Sequence, residues 1–490
     1  MHLLKALDTV KSSKPLGETS RRPFFLVSSQ TRNSIVKRPS QTSKASNVSN
    51  LRYFSGPSVK PLFALRKGNS CAKSELPVAA LLDAWRRKSD EAIPLDPESQ
   101  LSPSERKVLQ GKRFWALWPA LPIAPYSSRK TVLREIFPGK MYALEQTQGL
   151  LNVIVNVRMV VVVLRGGGLW VHNPLAPTAE LLEMMAGLEE RHGAVRYIVL
   201  GSTQVEHKVF LGPFARAFPK AQVHAVPTQW SWPVNLPLTL LGLFPRRLAG
   251  IVSDSFEGGQ FPGGKSPWAN EFEQAVLSVP LRVGQFTEAA FFHKDTRTVI
   301  LTDALQCVPE EPPEVCPRES LLIRARDGPG LELADSLGTR RQGWAKIVLF
   351  ALYFKPKVVK PAIYRDGPIP NVVDGFEWDP KWKSSFASIA RKLFVPPILH
   401  VLIFNRSPEA VAAWGEVIAS WRPRAVLPAH LDGPVKASGP AIRRAFRATL
   451  SPRAGPYLPG DIEALESVDE GLLARGLTLQ TRVDNRVNRF

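Results

Sequence analysis

Four side chains that suit a metal ion stand where predicted strands end, or in the loops that those strands open: Glu206, His207, Asp303 and His430. Neutral imidazoles and carboxylate oxygens are ligands for zinc, iron or manganese. One such ion would lower the pKa of a bound water and make a nucleophile near neutral pH. The other interpretation of the same residues is a set of polar groups that satisfy one another by hydrogen bonds.

The loop that carries Glu206 and His207 lies between a predicted strand and a predicted helix. Tyr197–Leu200 is a short apolar run typical of a buried strand, and Gly201 ends it. From Lys208 to Phe218, apolar residues recur at helical spacing. Loops at the carboxyl ends of strands are where α/β folds place their chemistry, so this loop is the leading candidate for a functional site.

Asp303 and His430 follow two further predicted strands. Thr298–Leu301 is apolar and is followed directly by Thr302 and Asp303, and Arg424–Leu427 leads within three residues to His430. Because the carboxyl ends of sheet strands lie along one edge, the long separation in sequence does not prevent the four side chains from converging. We therefore expect them in one pocket.

Strands and helices alternate twice along the chain. The predicted strands are Leu150–Leu164, Gly168–His172, Tyr197–Leu200, Ala221–Val226, Glu288–His293, Thr298–Leu301, Ile398–Phe404 and Arg424–Leu427, and the predicted helices are Ala179–His192, Lys208–Phe218, Gly343–Phe354, Pro408–Trp421 and Ala441–Thr449. Thr178 is a suitable N-cap, and three glycines at 166–168 permit a tight hairpin. The pattern predicts an α/β (α+β) fold, an αββα sandwich of two mixed sheets with outer helices.

The chain divides into four predicted segments. Residues 1–70 are expected to be a disordered organelle transit peptide, 71–145 an N-terminal extension, 146–450 the main domain, and 451–490 a polar tail of low structural content.

Composition excludes several classes of protein. The three cysteines have neither CxxC spacing nor an even count, which argues against a disulfide framework and a cysteine-based zinc site. The most apolar run, Leu150–Leu164, contains Asn152, Asn156 and Arg158 and is shorter than the roughly 20 residues that span a bilayer. The sequence shows no recognisable nucleic-acid-binding module. The partners of the protein are unknown.

Several motifs resemble the metallo-β-lactamase superfamily over Leu150–Phe446, and more narrowly an uncharacterised branch, domain-of-unknown-function family 4336, of photosynthetic lineages. The motifs are Leu169–Thr178 (LWVHNPLAPT), Glu206-His207-Lys208, Phe214–Pro219 (FARAFP), Phe291-Phe292-His293, Ile300–Asp303 (ILTD) and Leu427–His430 (LPAH). The resemblance implies the metallo-β-lactamase-like form of the sandwich. It does not indicate a substrate.

The resemblance carries over to the metal ligands only in part. Ser202 and Gln204 stand where the first metal's two leading histidines belong, and Glu288 is the nearest potential ligand to the expected third histidine. At the second metal, Glu206 replaces an aspartate, His207 matches, Asp303 matches the bridging aspartate and His430 the terminal histidine. The resemblance thus implies a dismantled first site and a second site that could hold one zinc, iron or manganese ion. The residues predicted to line the pocket are Ser202, Gln204, Glu288 and His172.

The N-terminus is basic and rich in serine and threonine. Residues 1–70 contain 13 Lys and Arg but only two acids, so they carry +11 of the chain's net charge of +21. This composition is typical of a transit peptide. Leu51–Ser55, with Arg52 upstream of a small residue, resembles a processing site that suits a mitochondrial or a plastid presequence. The family resemblance favours the plastid (chloroplast), with the mitochondrion as the alternative.

Two functions of different classes follow. Because part of the metal site is lost, we expect a degenerate member of the superfamily, a non-catalytic or atypical binding or regulatory protein of the organelle. The alternative is a mononuclear metal-dependent hydrolase that uses Glu206, His207, Asp303 and His430.

Overall fold

The computed structural model describes residues 97–118, 124–125, 128–150, 153–231, 236–328, 330–361 and 376–480. The predicted transit peptide lies outside the described residues, as does the end of the predicted C-terminal tail.

The first sheet has seven strands in sequence order. They are β1 (Val132–Phe137), β2 (Met141–Leu150), β3 (Val153–Val163), β4 (Leu169–His172), β5 (Val195–Leu200), β6 (Gln222–Ala225) and β7 (Leu248–Ile251). The first four pair antiparallel, and β4 to β7 pair parallel. The hairpin between β3 and β4 turns at Gly167 and Gly168, which have φ of 74° and 84°, a region that favours glycine.

The second sheet has five strands in the order β16-β15-β10-β9-β8. They are β8 (Phe272–Pro280), β9 (Gln285–His293), β10 (Thr298–Ile300), β15 (Ala425–Leu427) and β16 (Val435–Lys436). Strands β10 and β15 run parallel, so their carboxyl ends lie side by side. The described residues also form two two-stranded sheets: β11 (Gln306–Cys307) with β14 (Leu393–Phe394), and β12 (Val359–Pro361) with β13 (Phe376–Trp378).

The helices are α1 (Pro103–Lys112), α2 (Ala179–His192), α3 (Val205–Lys208), α4 (Leu211–Ala217), α5 (Arg318–Ala325), α6 (Leu337–Tyr353), α7 (Trp382–Ile389), α8 (Pro397–Leu402), α9 (Pro408–Ser420), α10 (Gly439–Arg447) and α11 (Glu463–Ala474). The Thr178 side chain caps α2 by accepting the Leu181 N–H, as the sequence predicted. Among the residues that the structure describes, no helix has the length and apolar character needed to cross a membrane.

Three apolar clusters define the layers. Trp170 and Val199 of the first sheet pack against Phe291 and Ile300 of the second, so the two sheets lie face to face. Helices α2 and α4 cover the outer face of the first sheet. Helices α6, α9 and α10 cover the outer face of the second. The predicted αββα sandwich is confirmed.

One predicted strand is wrong. Ile398–Phe404 is not a strand: α8 spans Pro397–Leu402, and a 3-10 turn follows at Phe404–Arg406. Nearly all of this segment is buried, so no polar face reveals the helical period. Pro397 stands in the first turn, where it needs no amide hydrogen bond and favours a helix start.

The two ends of the main domain carry more structure than the sequence predicted. Strand β1 and half of β2 come from the segment 71–145, which was predicted as an extension. They belong to the main domain, because β2 pairs with β3 along its whole length. The expectation of little structure after residue 450 is wrong for the described part. Helix α11 buries Leu465, and Asp469 on the same helix forms a buried ion pair with Arg406.

Candidate metal centre

Four ligand atoms, one each from Glu206, His207, Asp303 and His430, all lie within 4.8 Å of one another. His207 and Asp303 are 1% and 7% exposed, His430 is 9% exposed, and Glu206 is half-buried. The structure therefore brings the four predicted residues together in one nearly closed site with Glu206 on its more exposed side. That they act as metal ligands remains a prediction.

The distances between three of these groups suit a single metal ion. His207 Nε2 lies 3.2 Å from His430 Nε2 and 3.5 Å from Asp303 Oδ2, and His430 Nε2 lies 3.3 Å from Asp303 Oδ1. Ligands about 2.0–2.1 Å from a tetrahedral ion are about 3.3–3.4 Å apart. Asp303 Oδ2 is buried and accepts no hydrogen bond. The 3.2 Å contact between the two Nε2 atoms is also within hydrogen-bonding range, so these distances fit a hydrogen-bonded remnant site as well.

Asn173 and Gly201 shape the loop that carries Glu206 and His207. Strand β5 ends at Leu200, and the Gly201 N–H donates to the side-chain oxygen of Asn173, whose amide donates to Thr302 beside Asp303. A Cβ on Gly201 would lie 2.2 Å from His172 Nε2, so only glycine fits against this imidazole. His207 then lies in the single turn of α3.

Glu288 holds the loop of Asp303. Its buried carboxylate accepts the backbone N–H groups of Thr302, Asp303 and Ala304 at 2.9–3.2 Å. Burial and the charge of Asp303 raise the pKa of Glu288 to about 8, against the lowering effect of these three donors. Glu288 is thus engaged by backbone groups and shapes the site from behind Asp303.

Asn156 positions His430. The backbone oxygen of Asn156 lies 2.8 Å from His430 Nδ1, so this nitrogen carries a proton and Nε2 faces the cluster. The Asn156 side chain accepts the Leu431 N–H and donates to the Leu431 carbonyl. A histidine that donates its second N–H to a carbonyl is the usual arrangement for a metal ligand.

A buried ion pair supports the same loop. Arg158 is fully buried and pairs with Glu145, with the shortest nitrogen–oxygen distance 2.6 Å. The same guanidinium donates to the backbone oxygens of Pro428 and Leu431, on either side of His430. Because an unpaired buried charge is costly, the pair keeps this loop in one position.

Asp303 and the two histidines of the cluster influence each other's charge. Burial would raise the pKa of Asp303, but His207 and His430 hold it well below its ordinary value. Burial would lower the pKa of His430, but Asp303 and the Asn156 carbonyl raise it. His172, behind the site, has its pKa lowered to about 3 by burial and by the charge of His207, so it is neutral. The carboxylate is therefore the charged group around which the site is built.

Of the four residues predicted to line the pocket, only Glu288 hydrogen-bonds to a member of the cluster, through the backbone N–H of Asp303. Ser202 Oγ accepts the Gln204 N–H within the loop, Glu288 lies behind Asp303, and His172 packs on Gly201 and Trp170. Sequence reasoning missed the positioning roles of Asn156 and Arg158. Their signal was available, since two polar side chains interrupt an otherwise apolar strand.

The sandwich and this cluster define a class of protein, an αββα domain with a candidate mononuclear metal centre at one edge. A family model described as a domain of unknown function, DUF4336, matches residues 138–448. Because the match spans more than half of the chain, the protein belongs to this family. A comparison with curated proteins finds no match.

Several solved structures resemble the chain at low identity. DIM-1 metallo-β-lactamase has 7% identity and a TM-score of 0.33, over 65% of this chain and 96% of that chain. The flavodiiron core from Synechocystis has 9% identity and a TM-score of 0.33, over 66% of this chain and 61% of that chain. The flavodiiron protein from Giardia intestinalis has 11% identity and a TM-score of 0.34, over 66% and 60%. None of these likenesses bears on activity.

Proposed function

We propose that the protein is a mononuclear metal-dependent hydrolase whose single zinc, iron or manganese ion is held by Glu206, His207, Asp303 and His430. The observation that supports this most directly is the set of three ligand-to-ligand distances of 3.2–3.5 Å, which match the edges of one tetrahedral site. Two further features suit a metal ion. Asp303 Oδ2 has no hydrogen-bond donor, and His430 Nδ1 is bonded to a carbonyl oxygen.

The residues around the cluster have separable roles. A bound ion would supply a water of lowered pKa. Asp303 supplies the negative charge, and Glu288 keeps its loop in place. Asn156 holds His430 in the tautomer whose Nε2 faces the cluster. Glu206 is half-buried and would be the ligand nearest to solvent.

The second candidate is a non-catalytic binding or regulatory protein. The residues at the position of a first metal favour this candidate. Ser202 and Gln204 offer no imidazole, and Glu288 already accepts three backbone N–H groups. Both candidates exclude a pair of metal ions held in the usual binuclear way.

Metal content of the full-length protein, purified without chelator, tests the proposal. We expect about one equivalent of transition metal per chain, lost in His207→Ala and in His430→Ala because removal of a ligand abolishes a four-ligand site. His192→Ala is the matched control: His192 lies at the end of α2 against Tyr142 and should leave the content unchanged. No metal above background, or about two equivalents, would contradict the proposal.

Turnover separates the two candidates. The metal-loaded protein is assayed with ester, thioester, lactam and phosphodiester substrates, with Asp303→Asn as the inactive reference. Hydrolysis that disappears in Asp303→Asn supports the hydrolase. One bound metal without hydrolysis of any of these substrates supports the non-catalytic candidate.

We also propose that the protein acts in a plastid, with the mitochondrion as the alternative. The support is the basic, acid-poor composition of residues 1–70. A fluorescent reporter fused to these residues should enter the organelle. A reporter that stays in the cytosol argues against import.

A further inference from the structure

A cavity of about 450 Å³ lies in the helical layer outside the second sheet, and none of its lining residues belongs to the candidate metal centre. Its lining comes from four places: β14 with the residue on either side, His400 of α8, α10 with Ala448 after it, and the loop 454–456. Cavities of about 300–1,000 Å³ are the size that holds a small organic molecule.

Small side chains on α10 create the space. Ala441 and Ala445 lie one turn apart on this helix, and Ala448 follows at its end, all three lining the cavity. Phe394 and Val395 are buried on the opposite wall. The walls are therefore mostly apolar, which suits a ligand with a hydrocarbon or aromatic body.

The polar rim of the cavity is cationic. Arg444 and Lys392 line it and are exposed, and no acidic residue is among the lining residues. On the same helix, Arg443 and Arg447 both pair with Glu416. Arg444, in contrast, has no ion pair within the described residues, and Lys392 donates only to the Ser388 carbonyl. The rim thus carries two positive charges that the described part of the protein leaves uncompensated.

The floor of the cavity is neutral. His400 is 1% exposed, and its Nδ1 is hydrogen-bonded to the Tyr457 hydroxyl. Burial lowers the pKa of His400 to about 4, so the imidazole is uncharged near neutral pH. The positive charge therefore lies at the rim alone, and a ligand with its charge at one end fits the cavity in one direction.

We infer that this cavity binds a small apolar molecule that bears a single carboxylate, with its body against Ala441, Ala445 and Ala448 and its carboxylate at Arg444. A guanidinium recognises a carboxylate through paired hydrogen bonds, a fixed geometry that a lone ammonium does not offer. The site does not depend on the metal centre.

Calorimetric titration of the full-length protein with decanoate tests the inference, with decanol and decylamine as ligands of equal length and different charge. We expect saturable binding of one decanoate, at least tenfold weaker binding of decanol, and no binding of decylamine. Binding of decanoate should also weaken as ionic strength rises, because the charge contact lies at the surface. Equal affinity for decanoate and decanol, or no saturable binding of decanoate, would overturn the inference.

Variants locate the site. Arg444→Gln should weaken decanoate binding at least tenfold, whereas Arg447→Gln, which removes the same charge from the same helix outside the cavity, should leave it within twofold. Ala445→Phe should fill the cavity and abolish binding. Ala441→Leu is the smaller filling variant, used if the first unfolds, and circular dichroism confirms the fold of each. If decanoate binding is unchanged in Arg444→Gln and in the filling variant that folds, the ligand binds elsewhere and the inference is rejected.

Discussion

The Nε2 atoms of His207 and His430 lie 3.2 Å apart, although 223 positions separate the two residues in the chain. His430 Nδ1 meets a carbonyl oxygen and therefore carries a proton, so its Nε2 is the nitrogen that faces His207. The loops that carry the two imidazoles and the carboxylate bring them to these distances, and the contact between the two Nε2 atoms is itself within hydrogen-bonding range. The geometry of the site therefore depends on the residues that hold those loops in place.

Asn156 should govern metal affinity without being a ligand. Asn156→Ala removes both side-chain hydrogen bonds to Leu431 and loosens the loop of His430. We expect metal affinity to fall about 10–100-fold, the range found when groups that orient metal ligands are lost. Competition with a chromophoric chelator measures this. Asn156→Asp keeps the acceptor for the Leu431 N–H and should lose less affinity; an equal or larger loss would show that the hydrogen bond to this N–H is not what holds the loop.

Glu288 should act as a support and not as a ligand. Glu288→Gln keeps a carbonyl acceptor for the N–H groups of Thr302, Asp303 and Ala304 but removes the second oxygen that Asp303 also contacts. We expect metal stoichiometry to stay near one and the visible spectrum of the cobalt-substituted protein to keep its band positions. Asp303→Asn should change the bands or abolish binding. If Glu288→Gln shifts the bands as Asp303→Asn does, then Glu288 is a ligand.

The Glu145–Arg158 pair should be the costliest interaction around the site to break. Arg158→Met leaves Glu145 buried at 3% exposure and removes two donors to the loop of His430. Breaking a buried pair costs about 3–5 kcal/mol in the free energy of unfolding. Urea denaturation measures this. Arg134→Met is the control, because Arg134 also contacts Glu145 but is 43% exposed, and exposed pairs contribute about 0–1 kcal/mol. Similar losses in the two variants would show that burial does not decide the cost.

Gly201 and His172 should be coupled in a double-mutant cycle. A methyl group on Gly201 would lie 2.2 Å from His172 Nε2, so Gly201→Ala should destabilise the fold by about 1–3 kcal/mol, the usual cost of overpacking. In a His172→Ala background the same change meets empty space and should cost less. Thermal unfolding of the four proteins gives the coupling. Additive costs would mean that the imidazole is not the obstacle.

Stability should fall between pH 6.5 and pH 5. Burial lowers the pKa values of His224, His293 and His400 to about 4. A histidine whose folded pKa is below its unfolded value of about 6.5 contributes stability that is present above pH 6.5 and is lost as the pH falls toward 4, because the unfolded chain takes up the proton first. Each such histidine should lose on the order of 1–2 kcal/mol by pH 5. Urea denaturation of the wild type and of His293→Gln at pH 7 and pH 5 measures the effect; an equal pH dependence in the two proteins would exclude His293 as a contributor.

The sequence by itself determined the alternation of strands and helices and the four residues of the cluster. Both follow from local sequence signals. The apolar runs before Gly201 and Thr302 indicate buried strands, and Thr178 caps the helix that begins at the next residue. These properties depend on residues within a few positions of one another. The convergence of the four side chains also follows from a general rule, because strand ends share an edge of the sheet.

Tertiary structure alone decided what surrounds those residues. Glu288 looked like a candidate ligand in sequence, and only the pairing of β9 with β10 shows its carboxylate against the backbone of residues 302–304. The segment 398–404 is almost entirely buried, so its sequence has no polar face to show a helical period, and only the structure shows the helix Pro397–Leu402. Arg158 and Asn156 reach the loop of His430 across at least 270 positions. No local pattern encodes such contacts, because the energy that places them comes from burial and charge pairing between distant parts of the chain.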